Sequence, residues 1–494
     1  MTTDTRTTSP TRRGTVPLLA AGVFVVGTSE FLPAGLLPLI AADLQVPIPA
    51  VGTLISMFAI GMLVGAPVMA LLTLRLPRRL TLLGALAVFG AAHLLPVFVG
   101  GYGVLLVSRG IAAVACATYW AVASLIAIGT VDETRVPRAL AALVTGLSLA
   151  NIVGVPAGTW LGQRAGWKAA FVAVALASLL LFVLQAVAIR DRSSVPSEPL
   201  LRLARRELRV LTRPAALVTL GTTAAFQGAV FCAFSYLSPL LTEVAGVPAA
   251  VVPLVLLGNG IGMLVGIRIG NRLVTAGLLV TVRRCLLVLT GALLLVLAAS
   301  WHPVAVIVAE VLLGVATGLL VPAINGRIFQ VAGTAPTLAS GMNVGAFNLG
   351  NAVGPWLGGL AIAAGLGLRA PVVIGVGLVV LGLLLTQLSR ALERPGWSEA
   401  LGAGEHNGRH VRTLFEAGHG HPRARLPGPR RAGAGDPDDA PGAGHRGAFH
   451  ARGHRGGILR AGLLLGCGET VLAARRGRGD RGRLSGRLHP EPEL

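Results

Sequence analysis

Ile60-Gly-Met-Leu-Val-Gly65 returns 201 residues later as Ile261-Gly-Met-Leu-Val-Gly266. At the same offset Val46-Pro47 returns as Val247-Pro248, and Pro38-Leu39 as Pro239-Leu240. Asn151-x-Val153-Gly154-x-x-x-Gly158 returns 200 residues on as Asn351-x-Val353-Gly354-x-x-x-Gly358, with Pro355 after Gly354. One short match among Gly- and Leu-rich segments is within reach of chance; several that keep nearly one offset are not. The chain reads as two parallel repeats, and in membrane proteins such repeats enclose a central cavity with substrate bound near the midplane.

What surrounds the repeats is apolar. Of 494 residues, 53% are hydrophobic and 13% charged, about half the charged fraction of a soluble domain, which excludes an ordinary soluble enzyme. Glycine, at 66 residues, suits helices that pack closely in lipid. Apolar runs long enough to cross about 30 Å of hydrocarbon occur twelve times. Their limits are 16–41, 50–74, 80–100, 103–129, 138–162, 169–189, 214–242, 249–267, 285–301, 303–329, 337–363 and 370–389. The fold class is therefore all-α and polytopic, with an N-terminal segment 1–15, six-helix bundles over 16–189 and 214–389, a central loop 190–213 and a tail 390–494.

Charge sets the expected orientation. Residues 1–390 hold 25 basic and 10 acidic side chains. Alternate loops carry Arg75, Arg78 and Arg79; Arg135 and Arg138; and Arg268, Arg272, Arg283 and Arg284. The intervening loops hold little beyond Asp43, Arg164, Lys168, Glu243 and Arg369. By the positive-inside rule both termini face the cytoplasm; because the basic residues of the first 390 sit mostly in short loops between apolar runs, the net charge of +21 is read as this topological bias and no nucleic-acid partner is expected. Cys116, Cys232, Cys285 and Cys467 have no metal-ligand spacing, so neither metal nor cofactor is expected. The tail is different: residues 401–494 hold 8 of the 10 histidines, 16 arginines and no lysine, a composition expected to be disordered or to arise from a frameshift in a GC-rich gene.

Several segments resemble the major facilitator superfamily, and within it the twelve-span drug:proton antiporters. Gly27-Thr-Ser-Glu30-Phe31-x-x-x-Gly35-Leu-x-Pro38-x-Ile40-Ala-x-Asp43 looks like the first-helix signature of that branch. Ser108-Arg109-Gly110 resembles its fourth-helix motif, and Asn151-Ile-Val-Gly154-Val-Pro156-Ala-Gly158 its Gly/Pro antiporter motif. Phe231-Cys-Ala-Phe-Ser-Tyr236-Leu-Ser-Pro239, Ala335-Pro336-Thr337-Leu338 and Ala346-Phe347-Asn348 look like the actinobacterial chloramphenicol exporters. The loop motif from Gly65 through Arg75 to Arg78 and Arg79 departs from the pattern, because its acidic position is apolar; the second-half counterpart has Asn271. The resemblance implies alternating access, a proton as coupling ion and a cavity-facing role for Arg109.

Intramembrane ionisable groups are few. Each costs roughly 2.5–3.5 kcal/mol or more and ordinarily faces a cavity or a partner. Glu30 lies about 3 Å from the middle of the first span, beside the helix-breaking Pro33 and Gly35, a position suited to reversible proton loading. Arg109 and Glu310 complete the expected coupling set. Ser29, Tyr119, Trp120, Phe226, Gln227, Phe231, Tyr236, Asn343 and Asn348 form the expected substrate lining: aromatic walls with a few polar groups. No G-x-S-x-G elbow or P-loop is present, so no enzyme is indicated and an ion gradient must supply the energy. Each proton moved inward gains about 2.3 kcal/mol per 100 mV, enough for a roughly 50-fold gradient of a neutral drug. The expected function is proton-coupled export of a small amphipathic drug, chloramphenicol first, by a monomer in the cell membrane. Export of a sugar or nucleoside metabolite and a non-transporting receptor on the same fold are the alternatives.

Overall fold

The computed structural model describes residues 14–72, 76–189, 214–274, 277–332 and 336–393. The N-terminal segment to residue 13, Arg75, Ala335, the central loop 190–213 and the tail from 394 lie outside the described residues. Twelve long helical segments account for nearly everything else. They are α1 (Thr15–Leu44), α2 (Ile48–Leu72), α3 (Arg78–Val99), α4 (Tyr102–Gly129), α5 (Val136–Ala165) and α6 (Trp167–Ala188), then α7 (Pro214–Ser235), α8 (Val252–Leu273), α9 (Leu278–Ala299), α10 (Pro303–Ala332), α11 (Pro336–Ala363) and α12 (Ala370–Leu392). Eleven are long and apolar enough to cross a membrane by length and composition. The exception, α11, carries three asparagines and six glycines in 28 residues, which lowers its mean hydropathy.

The expected spans and observed helices agree except at the basic ends and in the seventh span, expected over 214–242, whose α-helix stops at Ser235. Span 9 was expected at 285–301, yet α9 begins at Leu278, so Arg283 and Arg284 stand on its second turn rather than in a loop. Span 8 was expected to stop at 267, yet α8 runs to Leu273 and carries Arg268 and Arg272. A helix continues for a turn past the hydrocarbon because long basic side chains reach the interface while their stems stay against apolar surface. Turns between helices are short. Gly100 and Gly101 (φ +74° and +83°) reverse the chain from α3 to α4, and Gly166 (φ +85°) from α5 to α6, conformations that a Cβ would penalise.

Glycine stripes set the helix pairs. Gly61 and Gly65 of α2 lie on Ala113 and Val114 of α4, with 3.0 Å between a Cβ built at Gly65 and the Val114 Cα. Their repeats, Gly262 and Gly266 of α8, lie on Val311 and Val315 of α10. Gly146, Gly154, Gly158 and Gly162 bring α5 onto Ala20, Thr28, Leu32 and Leu36 of α1. Gly350, Gly354 and Gly358 bring α11 onto Ala224, Gly228 and Cys232 of α7. Two halves are thus built the same way, as close backbone approach through small residues permits.

Prolines perturb two helices where the halves meet. Pro156 has no N–H for the Ile152 carbonyl, and α5 widens into a π-helical turn over Ala150–Gly154 that packs on Gly260 of α8. Pro239 likewise leaves the Ser235 carbonyl without its helical donor, and α7 breaks at Tyr236 before continuing as Leu237–Pro239 and a π-helical turn Leu240–Val244. Contacts between halves run along α2/α11, α5/α8 and the far end of α7 against α1.

Candidate functional site

Pro33 and Pro38 lie inside α1; without an N–H, Pro33 cannot pair with the Ser29 carbonyl, which loosens the turn that carries Glu30. Across from it stands Arg109 of α4, 1% exposed. Its Nη1 donates to Ser29 Oγ (2.9 Å) and its Nη2 to the Glu30 backbone carbonyl (3.1 Å). The guanidinium sits over the Phe58 ring, 4.3 Å from its centroid. Arg109 is therefore held within the first half, not drawn to the membrane surface. The Glu30 side chain is half-buried, Arg109 is the cation that faces it, and its carboxylate has no hydrogen-bond partner among the described residues.

Ser29 was expected to line the substrate path. The structure buries it fully and commits its hydroxyl to Arg109 and to His93 of α3, whose Nε2 lies 2.5 Å away. His93 was not among the expected site residues: a neutral imidazole in an apolar span does not stand out as a charge does, although it is one of two histidines before residue 390. Tyr119 is also engaged elsewhere: its hydroxyl donates to the Leu19 carbonyl (3.2 Å) and accepts from Gln185 (2.8 Å), in the packing of α1, α4 and α6. Trp120, next in sequence, is half-buried.

Glu310 occupies, at the repeat offset, the position of Arg109, and Asn259 that of Phe58. The structure preserves this correspondence: Asn259 Nδ2 donates to the Glu310 backbone carbonyl (3.0 Å). Glu310 is buried, and its Oε2 has no partner among the described residues. The two halves thus place a basic and an acidic side chain at equivalent positions of the repeat.

The second half gathers amides. Gln227 of α7 donates to Asn351 of α11 (2.9 Å), and Asn343 of α11 to Asn325 of α10 (2.6 Å). Asn348 donates to the Val344 carbonyl (3.0 Å) on its own helix, and the Oδ1 atoms of Asn343 and Asn348 are buried without partners among the described residues. Asn325, and Asn351 as a partner of Gln227, were not anticipated; isolated amides in apolar helices carry no spacing that predicts which will meet. Phe226, expected in the substrate lining, is instead fully buried: it packs edge-on to Phe347, with centroids 6.2 Å apart, and serves the packing of α7 against α11.

Phe231 and Tyr236, by contrast, belong to the seam between the halves. The Phe231 ring lies 5.1 Å from Phe31 of α1 and 5.8 Å from Phe234. Tyr236 is buried and donates to the Pro355 carbonyl (2.8 Å), beside Gly52 of α2 and Gly358 and Gly359 of α11. Ser56 donates to the Ala352 carbonyl (2.7 Å) and Gln163 to the Ala249 carbonyl (2.8 Å), both across the seam. The end of the bundle where α1 and α7 finish is thereby closed.

The motif residues have structural partners. Asp43 accepts from Trp167 Nε1 (2.8 Å) and faces Lys168 Nζ (3.8 Å), joining the ends of α1 and α6. Arg79 donates to the Ala186 carbonyl (2.5 Å), tying α3 to α6 where the usual acid is missing; Arg78 lies 3.8 Å from a Cβ built at Gly129. Asn151 donates to the Leu147 carbonyl (3.2 Å) at the π-helical turn, and Gly154, Pro156 and Gly158 shape α5 as described above.

The sequence profile of the Major Facilitator Superfamily matches residues 19–338. An inner membrane transport protein of Escherichia coli K12, YdhP, is 36% identical over 371 residues, which are 75% of this chain and 94% of YdhP. A chloramphenicol resistance protein of Streptomyces lividans is 35% identical over 381 residues, 74% of this chain and 94% of its own. A probable sugar efflux transporter of Mannheimia succiniciproducens is 30% identical over 345 residues, 69% and 85% of the two chains. Among solved structures, an inward-facing, unoccupied bacterial homologue of the human lysosomal transporter Spinster superposes with a TM-score of 0.64 at 15% identity, over 77% of this chain and 97% of that one; this likeness concerns the fold.

Proposed function

The chain belongs to the Major Facilitator Superfamily, and from that membership we propose that it is a proton-coupled antiporter exporting a small amphipathic drug, chloramphenicol first among candidates. The observation that carries the reading is the Glu30 carboxyl in the middle of α1 facing the buried Arg109. Such a pair can exchange a proton for a change in the position of the cation, because the carboxyl alternates between a neutral state that needs no partner and an anion that attracts one. Glu310, a second buried carboxyl in the other half, is the further proton site of this proposal.

Drug export rather than general transport is favoured by the lining. Trp120, half-buried, supplies an apolar wall. Gln227, Asn343 and Asn348, with Asn325 and Asn351, supply amide partners suited to the hydroxyls and amide of chloramphenicol. The resemblance to the Streptomyces lividans chloramphenicol resistance protein points the same way. The 30% identity to a probable sugar efflux transporter and the five amides support a second reading, export of a polyhydroxylated metabolite. With both termini cytoplasmic, the closed end is the outer one, and the conformation is inward-facing. The transporter works alone in the bilayer, without a cofactor.

Everted membrane vesicles test the proposal. Acidifying the lumen should drive uphill accumulation of labelled chloramphenicol, and an uncoupler should abolish it. Glu30→Gln should insert normally and lose uphill accumulation while retaining downhill exchange. Proton-driven accumulation by Glu30→Gln would sink the assignment of Glu30, and accumulation of a pentose or nucleoside without chloramphenicol would transfer the chain to the metabolite exporters.

A further inference from the structure

We propose that His93 is a positioning residue for proton exchange: acting through Ser29, it holds the Arg109 guanidinium away from the Glu30 carboxylate. The inference rests on the reading of Glu30 as the proton carrier.

The polarity of the hydrogen-bond chain follows from which atoms own protons. His93 Nδ1 lies 2.7 Å from the Phe89 carbonyl, which can only accept, so Nδ1 carries the ring proton. His93 Nε2 is then an acceptor, and the Ser29 hydroxyl, 2.5 Å away, donates to it. Arg109 has donors only, so Ser29 Oγ accepts from Nη1 at 2.9 Å. One orientation satisfies all three contacts: Arg109 to Ser29, Ser29 to His93, His93 to Phe89. The imidazole is 2% exposed and fixed between the rings of Phe89 and Phe171, at 4.4 and 5.5 Å, so it cannot turn away from Ser29 without repacking α3 against α6.

A second proton on His93 would reverse this arrangement. Nε2–H would compete with Nη1 for the Ser29 oxygen and place a positive ring beside a positive guanidinium. The neutral ring is therefore the state that fits. The charged and titratable groups around the chain are few: Glu30 on α1, and Arg109 and Cys116 on α4, while α2 and α6 contribute the rings of Phe58 and Phe171.

The consequence concerns Glu30. With Nη1 on Ser29 and Nη2 on the Glu30 carbonyl, Arg109 stands close to the carboxylate without bonding to it. Arg109 then has two positions, one on Ser29 and one on the carboxylate. His93 biases it to the first, leaving Glu30 free to take a proton. Removing the imidazole acceptor frees Arg109 for the second position, where a charge-assisted pair would hold the carboxylate ionised in more acidic medium.

The test is the pH profile of chloramphenicol transport by the full chain in proteoliposomes. His93→Leu should move the half-maximal pH acid-ward by about one unit, a tenfold change in proton affinity, with KM for chloramphenicol unchanged. His93→Gln, whose Oε1 can accept from Ser29, should restore the original profile. Ser29→Ala cuts the same chain at its other end and should reproduce the acid shift if His93→Leu fails to insert. Unmoved profiles for inserted His93→Leu and Ser29→Ala, in a protein where Glu30→Gln abolishes coupling, would overturn the role of His93 alone. Retained coupling in Glu30→Gln would overturn the proton-carrier reading itself.

Discussion

Two neighbouring side chains on α1 meet quite different surroundings. Ser29 is locked into the Arg109–His93 chain, while the Glu30 carboxyl has no hydrogen-bond partner among the described residues. The same division separates Tyr119, bonded to Leu19 and Gln185, from the half-buried Trp120 that follows it. Successive helical residues point about 100° apart, so adjacent candidates seldom face one space. Trp120→Ala and Gln227→Ala should therefore each raise the KM for chloramphenicol about tenfold, the loss of roughly 1.4 kcal/mol of contact. For Gln227 the change also strips Asn351 of its donor. Unchanged KM in vesicles for both variants would remove spans α4 and α7 from the binding surface.

The helices pair through glycines, and the tolerance of each glycine is set by what lies opposite. A Cβ at Gly354 of α11 would collide with the Gly228 carbonyl of α7, backbone against backbone, whereas Gly84 of α3 has nothing within 4 Å. Overpacking of that kind costs about 1–3 kcal/mol. Gly354→Ala should lower the thermal midpoint of the detergent-solubilised protein by several degrees, and Gly84→Ala should leave it where it is or raise it slightly, since alanine is the better helix former. Equal melting of the two variants would show that α11 can slide off α7 at no cost. The antiporter-like motif of α5 and its repeat in α11 thus set helix spacing as well as any role they have in the cycle.

Alternating access requires the closed seam to open. A Cβ built at Gly359 of α11 falls 3.6 Å from the Cβ of Pro49 at the start of α2, within the about 3.5–4.5 Å that a disulfide spans. In a background with the native cysteines replaced, Pro49→Cys with Gly359→Cys should cross-link under mild oxidation. Transport should stop and return on reduction, because the bond joins the halves at the closed end. Full transport by the cross-linked protein would mean that this seam does not part during the cycle.

Sequence alone determined the twelve-span architecture, its duplication and the superfamily. These follow from hydrocarbon thickness, which sets run length, and from a repeat offset that survives in residues such as Gly61 and Gly262. It also marked Glu30, Arg109 and Glu310, since charge at depth is costly enough to stand out. Helix ends such as Leu278–Arg284 were misjudged because basic side chains extend a helix beyond its apolar run. Which candidates meet was decided only by tertiary structure. Ser29 with His93, Gln227 with Asn351 and Tyr236 with the Pro355 carbonyl lie 64, 124 and 119 residues apart. A hydrogen bond between helices depends on rotation and depth, and neutral polar groups leave in the sequence no period that records either.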